Sequence, residues 1–305
     1  MHLYHKYGYC RRQQKRWKGK PYAEIAALFL LLRYFSACAG FSSAVDDTPF
    51  QPAACTFYRR DLCPGVEITD IYDARLPLIA HAVKIDLFHP FLSVVTSESA
   101  LFKDTDGRIR GETTESFSRR RNTVVAFNAA AFKTASLLFS PYRTIVGIHI
   151  TDFHRMSMPN KRYGALLFYA DGTAGIIDSQ TEAAVSGNVR HALSGFWTIL
   201  RNGSILPQKL HRRDSRTAVG LADNGKTLFI IAIEGENKRK SKGLSYEETA
   251  ALMRELGASD ALQLDGGSSS TLVIRENDIQ RVIAPSIGWH PPIRVASNAG
   301  IVCIE

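Results

Sequence analysis

Apolar residues along this chain come in short runs, separated by polar and turn-forming residues. The runs include "HAVKIDLF" (81–88), "TVVAF" (123–127), "TIVGIHI" (144–150), "GALLFYA" (164–170) and "FWTIL" (196–200). Further along come "TAVGLA" (217–222), "TLFIIAIE" (227–234), "DALQL" (260–264), "STLVI" (270–274) and "GIVCIE" (300–305). Runs of this length bounded by turn residues predict strands. "ADGTAG" and "ADNGKT" supply turn chemistry between neighbouring runs and predict hairpins. One segment has helical spacing instead. "LSYEETAALMRELGAS" opens with Ser245 as N-cap and Glu248 three residues later, a capping box. Leu252 and Leu256 then share a face, and Gly257 is placed to end the helix, which leads directly into "DALQL". Many strands and few helices predict an α+β fold, a single domain around a large mixed or antiparallel sheet with a few flanking helices. No Pro/Gly-rich break divides residues 65–305, whereas residues 40–64 are rich in Ser, Pro, Ala and Asp and read as a linker or lead-in segment.

Charge changes the picture at one end only. The formal net charge is +9, but residues 1–40 hold eight Lys/Arg and a single acid, Glu24, so the remaining body carries only +2. That distribution argues against a nucleic-acid partner. It points to a leader: the basic stretch "KYGYCRRQQKRWKGK" precedes the apolar run "IAALFLLL" and then the small residues "SACAGFSSA". Positive, apolar and small-residue regions in that order predict a signal peptide over residues 1–39 and a mature, exported chain, periplasmic or extracellular. The apolar run is too short to span a bilayer, so no transmembrane span is expected in the mature chain. Ala37-Cys38-Ala39 fits cleavage; the alternative exit is a lipoprotein box with Cys38 lipidated, for which Phe35 is an unusual residue. In an oxidising compartment Cys55 and Cys63 are expected to pair as a disulfide, leaving Cys303. No Cys or His spacing has a zinc pattern, so no cofactor is called for, and a structural metal ion is left open. Oligomeric state is not legible.

Several catalytic signatures are absent: no G-x-S-x-G elbow, no phosphate loop ending in Gly-Lys-Ser/Thr, no G-x-G-x-x-G opening a helix. His149, Asp152 and His154 in "HITDFH" match no metal spacing and read as a loop. What remains is a set of polar residues at strand ends: Asn128, Arg216 and Thr217, Glu234, the "LDGGSSS" stretch from Asp265 to Ser270, and Arg294 with Asn298. Rigid strands handing over to loops favour functional groups there, although Asp and Gly also make ordinary turns.

The stretch "GLSYEETAALMRELGASDALQLDGGSSSTLVI" resembles the signature of the phosphodiester glycosidase family, typically a helix followed by "a-L-N-L-D-G-G-G-S-S". "VVAFNAAAF", "LSGFWTILRNGSI", "SRTAVGLADNGKTLFIIAIEG" and "IRVASNAGIV" match further blocks of that family in order, over roughly residues 65–305. Departures are Gln263 for Asn, Ser268 for the third glycine, Ala131 for an aromatic and Glu234 for Asp. The resemblance implies a hydrolase cleaving a sugar-1-phosphodiester, in envelope or exopolysaccharide glycan metabolism. It implies Asp265 as nucleophile or base and Glu234 as second carboxylate. Arg216 and Arg294 would meet the phosphate, and the backbone N–H groups of Gly266 and Gly267 would approach it. Asn128 and Ser269, with Thr217, Ser268 and Asn298, would complete substrate binding. The expected partner is a glycan or sugar-phosphate substrate. The alternative reading is a glycan-binding envelope protein without turnover.

Overall fold

The computed structural model describes residues 49–98, 106–134, 140–185, 187–284 and 292–304. The expected leader, with Cys10 and Cys38, lies outside the described residues. Every strand pair among the described residues is antiparallel, so the mixed-sheet alternative is not realised.

The principal sheet has eight strands. In spatial order they are Thr56–Cys63, Val66–Asp73, Leu78–Asp86, Thr227–Ile233, Arg216–Ala222, Asp260–Gln263, Thr198–Arg201 and Ser204–Ile205. A five-stranded sheet runs Ile279–Ala284, Leu272–Glu276, Val125–Asn128, Asn298–Cys303 and Leu92–Thr96. A second five-stranded sheet and a three-stranded one complete the body.

Side-chain alternation explains the layering. In Thr227–Ile233, Ile230 and Ala232 face a core shared with Phe127, Leu264 and Leu272, while Ile231 and Ile233 face a second core under a helix. Because both faces are covered, the whole strand is buried and reads as the unbroken run "TLFIIAI". Each such buried isoleucine contributes about 1.5–3 kcal/mol. The helix over the second core is α2, Tyr246–Glu255, with the predicted capping box formed: Ser245 Oγ accepts from the Glu248 N–H and Glu248 Oε2 from the Ser245 N–H. The shorter α1, Thr114–Arg121, capped by Thr113, has no counterpart in the sequence reading; "TESFSRRR" carries one large apolar residue, Phe117. "HITDFH" is a hairpin turned by Asp152 and Phe153 at positive φ.

The segment before residue 65 is in part a strand. Thr56–Cys63 pairs with Val66–Asp73 around a turn at Pro64-Gly65, Gly65 having φ +79°. As an edge strand it is largely solvated, so "TFYRRDLC" lacks the apolar run that marks the inner strands.

This strand also overturns the Cys55–Cys63 disulfide: both are free thiols. Eight residues of extended chain span roughly 26 Å, whereas a disulfide needs Cα atoms within about 7 Å. Cys55 packs on the core beneath α2 and Cys63 on the inter-sheet core. Burial pushes each thiol up to about 11, and the Cys63 thiol makes a hydrogen bond with Cys303. Unreduced tryptic digests should recover Cys55 and Cys63 on separate peptides; a linked peptide joining them would reverse the assignment.

Candidate active site

Asp265 stands where the strand Asp260–Gln263 gives way to the glycine turn. Its position is fixed by backbone bonds on both sides: its N–H donates to Ala129 O (3.0 Å) and the Leu264 N–H to Thr217 O (2.9 Å). Asn128 closes the arrangement. Its Oδ1 accepts from Thr217 Oγ1 (2.8 Å) and the Thr271 N–H (2.9 Å), and its Nδ2 donates to Asp265 O (2.8 Å). The Asn128 side chain, 0% exposed, is therefore spent inside the protein, tying the five-stranded sheet to the eight-stranded one. Thr217, equally buried, serves the same junction. Burial raises the pKa of the Asp265 carboxyl, while hydrogen bonds from the Ser269 side chain and the Gly266 N–H lower it.

Arg216 lies against this turn. A Cβ added to Gly266 would meet Ser215 O at 3.0 Å and Arg216 Cα at 3.7 Å, so a side chain there would push the turn away. The buried guanidinium donates through Nε to Leu244 O (2.9 Å) and through Nη2 to Arg212 O (2.6 Å). It stacks over Tyr246, 4.3 Å from the ring centroid. Nη1 takes no acceptor among the described residues. Burial lowers the Arg216 pKa. Burial also raises that of Tyr246, whose phenol feels Arg216 and Asp265 together. Asp265, Arg216 and Tyr246 thus form one cluster by way of Tyr246, with no direct contact between the Asp265 carboxyl and the Arg216 guanidinium among the described residues.

Other expected residues fall elsewhere. Gly267 adopts φ +60°, but its N–H donates to Ser215 O (2.9 Å) and the Gly266 N–H serves Asp265. The Gly267 N–H is therefore engaged, while the Gly266 N–H stands beside the Asp265 carboxyl and lowers its pKa. Ser268 is exposed at the rim. Glu234 follows Ile233 on its strand, and alternation turns it to the face opposite Arg216, which pairs with Ile233. There its Oε1 lies 3.8 Å from His81 Nε2, and His81 Nδ1 lies 2.6 Å from Asp70 Oδ1. One strand, Arg216–Ala222, also stands between the strands leading to Glu234 and Asp265, so two strand spacings, about 10 Å, separate those ends. The acid beside the turn is Glu236, whose Oε1 accepts from Ser215 Oγ (2.8 Å). Arg294 is exposed beside Gly111, and Asn298 is buried, accepting from Thr114 Oγ1 (2.7 Å) at the start of α1. Neither joins the cluster through any hydrogen bond or ion pair recorded among the described residues.

Tyr246 and Glu236 were not singled out from the sequence. The only signal for Tyr246 was its place directly after the N-cap Ser245; Glu236 had none. No three His, Cys, Asp or Glu side chains among the described residues gather to hold a metal.

A phosphodiester glycosidase family model matches residues 121–301. The SPbeta prophage-derived protein YomE of Bacillus subtilis is 25% identical over 244 residues, covering 74% of this chain and 35% of its own. This chain therefore spans about a third of the length of that curated relative. Three solved structures share the fold. A hypothetical protein from Synechocystis superposes with TM-score 0.59 at 14% identity, covering 84% of this chain and 64% of its own. The catalytic domain of zebrafish N-acetylglucosamine-1-phosphodiester alpha-N-acetylglucosaminidase, auto-inhibited by its pro-peptide, gives 0.57 at 19%, covering 83% and 88%. A protein of Burkholderia pseudomallei described as exported gives 0.55 at 14%, covering 75% of each.

Proposed function

The chain belongs to the phosphodiester glycosidase family, and on that premise we propose that it hydrolyses a sugar-1-phosphodiester to a free sugar and a phosphomonoester. The observation that carries this reading is that the Asp265 glycine turn packs against the backbone of Ser215 and Arg216, whose guanidinium lies over Tyr246. Cleavage at an anomeric carbon passes through an oxocarbenium-like state that a nearby carboxylate stabilises. Asp265 supplies that carboxylate, as nucleophile or as base for water, with Ser269 and the Gly266 N–H favouring its ionised form. The bond that breaks joins the anomeric carbon to the phosphate oxygen, whose electron pair leaves with the phosphomonoester. This leaving group is a weak base and needs little protonation, so a cation does the work usually given to a second acid. Arg216 is that cation, and Asp214, which acts on both Arg216 and Tyr246, and Glu236, bonded to Ser215, are the neighbouring carboxylates available for a supporting role. Asn128 and Thr217 act as positioning residues for the Asp265 turn.

Incubation of the purified protein with a sugar-1-phosphodiester should release reducing sugar and phosphomonoester in equal amounts. Arg216→Lys keeps the charge but loses the planar fork, and should lower kcat/KM on the phosphodiester about 10–100-fold. A p-nitrophenyl glycoside has no phosphate and should lose much less; equal losses would remove Arg216 from phosphate contact.

The turning of Glu234 away from Arg216 and toward His81 favours one other reading, a glycan-binding protein without turnover. Ligand binding with no sugar release from any sugar-1-phosphodiester tested would select it. We place the activity outside the cytoplasm, in envelope or exopolysaccharide glycan turnover, on the strength of the leader pattern, with Cys38 as the alternative lipid anchor. N-terminal sequencing should find the mature chain beginning between about residues 38 and 45; an intact Met1 on protein recovered from cells would contradict a cleaved leader.

A further inference from the structure

Beside Tyr246 lies a cavity of about 580 Å³ that the reaction at Asp265 does not use. Its floor is aromatic. Trp197 stacks on Phe196, with ring centroids 5.4 Å apart and planes at 25°, and meets Tyr246 at 5.7 Å. With one side backed by Phe196, Trp197 still keeps 43% of its surface exposed, so an indole face is presented to solvent. One wall is the segment 206–210, including Gln208 and Lys209. The same segment continues to Arg212, whose carbonyl holds Arg216, and Tyr246 lines the cavity while lying under that guanidinium, so cavity and proposed reaction centre share a wall.

Beyond that wall, which itself carries Lys209, the chain is strongly basic. Residues 206–213 and 236–242 hold seven Lys/Arg and one acid, Glu236, although the whole body beyond residue 40 is only +2. The two segments touch, Lys238 Nζ donating to Arg213 O (3.2 Å) and Lys242 O (3.1 Å). Arg213 is neutralised by Glu248, and Arg212 and Lys238 lie near Asp214. Lys209, Arg239 and Lys240 are exposed and meet no acid among the described residues. The rim acid, Asp178, is itself paired with Arg201 and accepts from Thr198 Oγ1, so its charge is offset by a cation on the spot.

We propose that this cavity and the basic segments beside it form a second saccharide subsite, and that the substrate is a polyanionic glycan whose sugars are joined by repeating phosphodiesters. A sugar ring would lie on the indole of Trp197, and the phosphate of the neighbouring repeat would meet Lys209, Arg239 and Lys240. An apolar sugar face stacks on an aromatic ring, and flexible lysines and arginines suit a phosphate chain as point charges at the surface. A neutral glycan has no phosphate to place on the basic segments, and a single sugar-1-phosphodiester has only the one assigned to Arg216. This inference rests on the hydrolytic reading for the chemistry but concerns binding, so the two can fail separately.

The test compares a tetramer of N-acetylglucosamine 1-phosphate, its methyl-capped monomer and neutral chitotetraose, by calorimetric titration and by sugar release. The tetramer should bind at least tenfold more tightly than either comparator, and its advantage should shrink as salt rises from 50 to 500 mM, roughly one to two Debye-length halvings. Trp197→Ala should erase most of the advantage and Trp197→Tyr, which keeps a ring, should retain it. The surface triple Lys209→Gln, Arg239→Gln, Lys240→Gln should flatten the salt dependence. Tight tetramer binding without sugar release would uphold the subsite and refute hydrolysis. Equal affinity for tetramer and monomer, or variants that weaken both alike, would overturn the subsite even if both are hydrolysed.

Discussion

Asp265→Asn should lower turnover of a sugar-1-phosphodiester by about a thousandfold or more while leaving the fold intact. Asparagine keeps the shape and can still accept from Ser269 and the Gly266 N–H, but it cannot stabilise positive charge at the anomeric carbon. The same substitution makes a stability prediction of opposite sense. Burial raises the folded-state pKa of Asp265 above its unfolded value, so the folded protein binds a proton more readily there than the unfolded chain does. A carboxyl with a raised pKa contributes its full stability below the unfolded pKa, and that contribution is lost as pH rises through the folded one. The variant, with nothing to ionise, should therefore be at least as stable as the parent at neutral pH. Its advantage should shrink on acidification toward the ordinary aspartate range. Thermal unfolding at pH 7 and pH 4 measures this; a variant clearly less stable at pH 7 would mean that the carboxylate is better satisfied by the fold than its burial implies. Wild-type turnover in the variant would return the turn to a purely structural role.

Asn128→Ala should do the reverse, damaging the fold first. Its amide makes three buried hydrogen bonds, to Thr217 Oγ1, the Thr271 N–H and Asp265 O. Truncation leaves those partners unsatisfied away from water, at a total cost of about 3–5 kcal/mol. In a body of this size that corresponds to a fall in Tm of roughly 10 °C. Activity should fall with it, because the Asp265 carbonyl is one of the groups released. An unchanged Tm would show that the junction between the two sheets does not depend on this side chain.

Much of the fold was legible because its signals are local. Apolar run length marked the inner strands, and Ser245 with Glu248 marked the start of α2. The turn at Asp265 was legible through the Asp-Gly-Gly sequence. What escaped depended on partners distant in the chain. Whether Glu234 faces Arg216 is decided by the pairing of Arg216 with Ile233, a register the sequence does not carry. The Gly267 N–H is not open to an anion because Ser215 O, 52 positions earlier in the chain, accepts from it. Tyr246 was hidden in plain sight as a helix residue, since only the tertiary fold lays its ring under a guanidinium 30 positions earlier in the chain. The edge strand Thr56–Cys63 escaped for a different reason: a solvated edge needs no apolar run.

The strand Asn298–Cys303 lies inside its sheet, between Val125–Asn128 and Leu92–Thr96, and Asn298 sits opposite Asn128 across the ladder. A ribosome delivers the partners of Val125–Asn128 far apart in time, Leu272–Glu276 and then Asn298–Cys303. Until the latter emerges, one edge of Val125–Asn128 has no neighbour, and the residue that seats Asp265 lacks its surroundings. The Asp265 turn is therefore seated only after Asn298–Cys303 has paired with Val125–Asn128. Pairing between strands so far apart in the chain is slow, and the open edge is exposed to wrong partners until it forms.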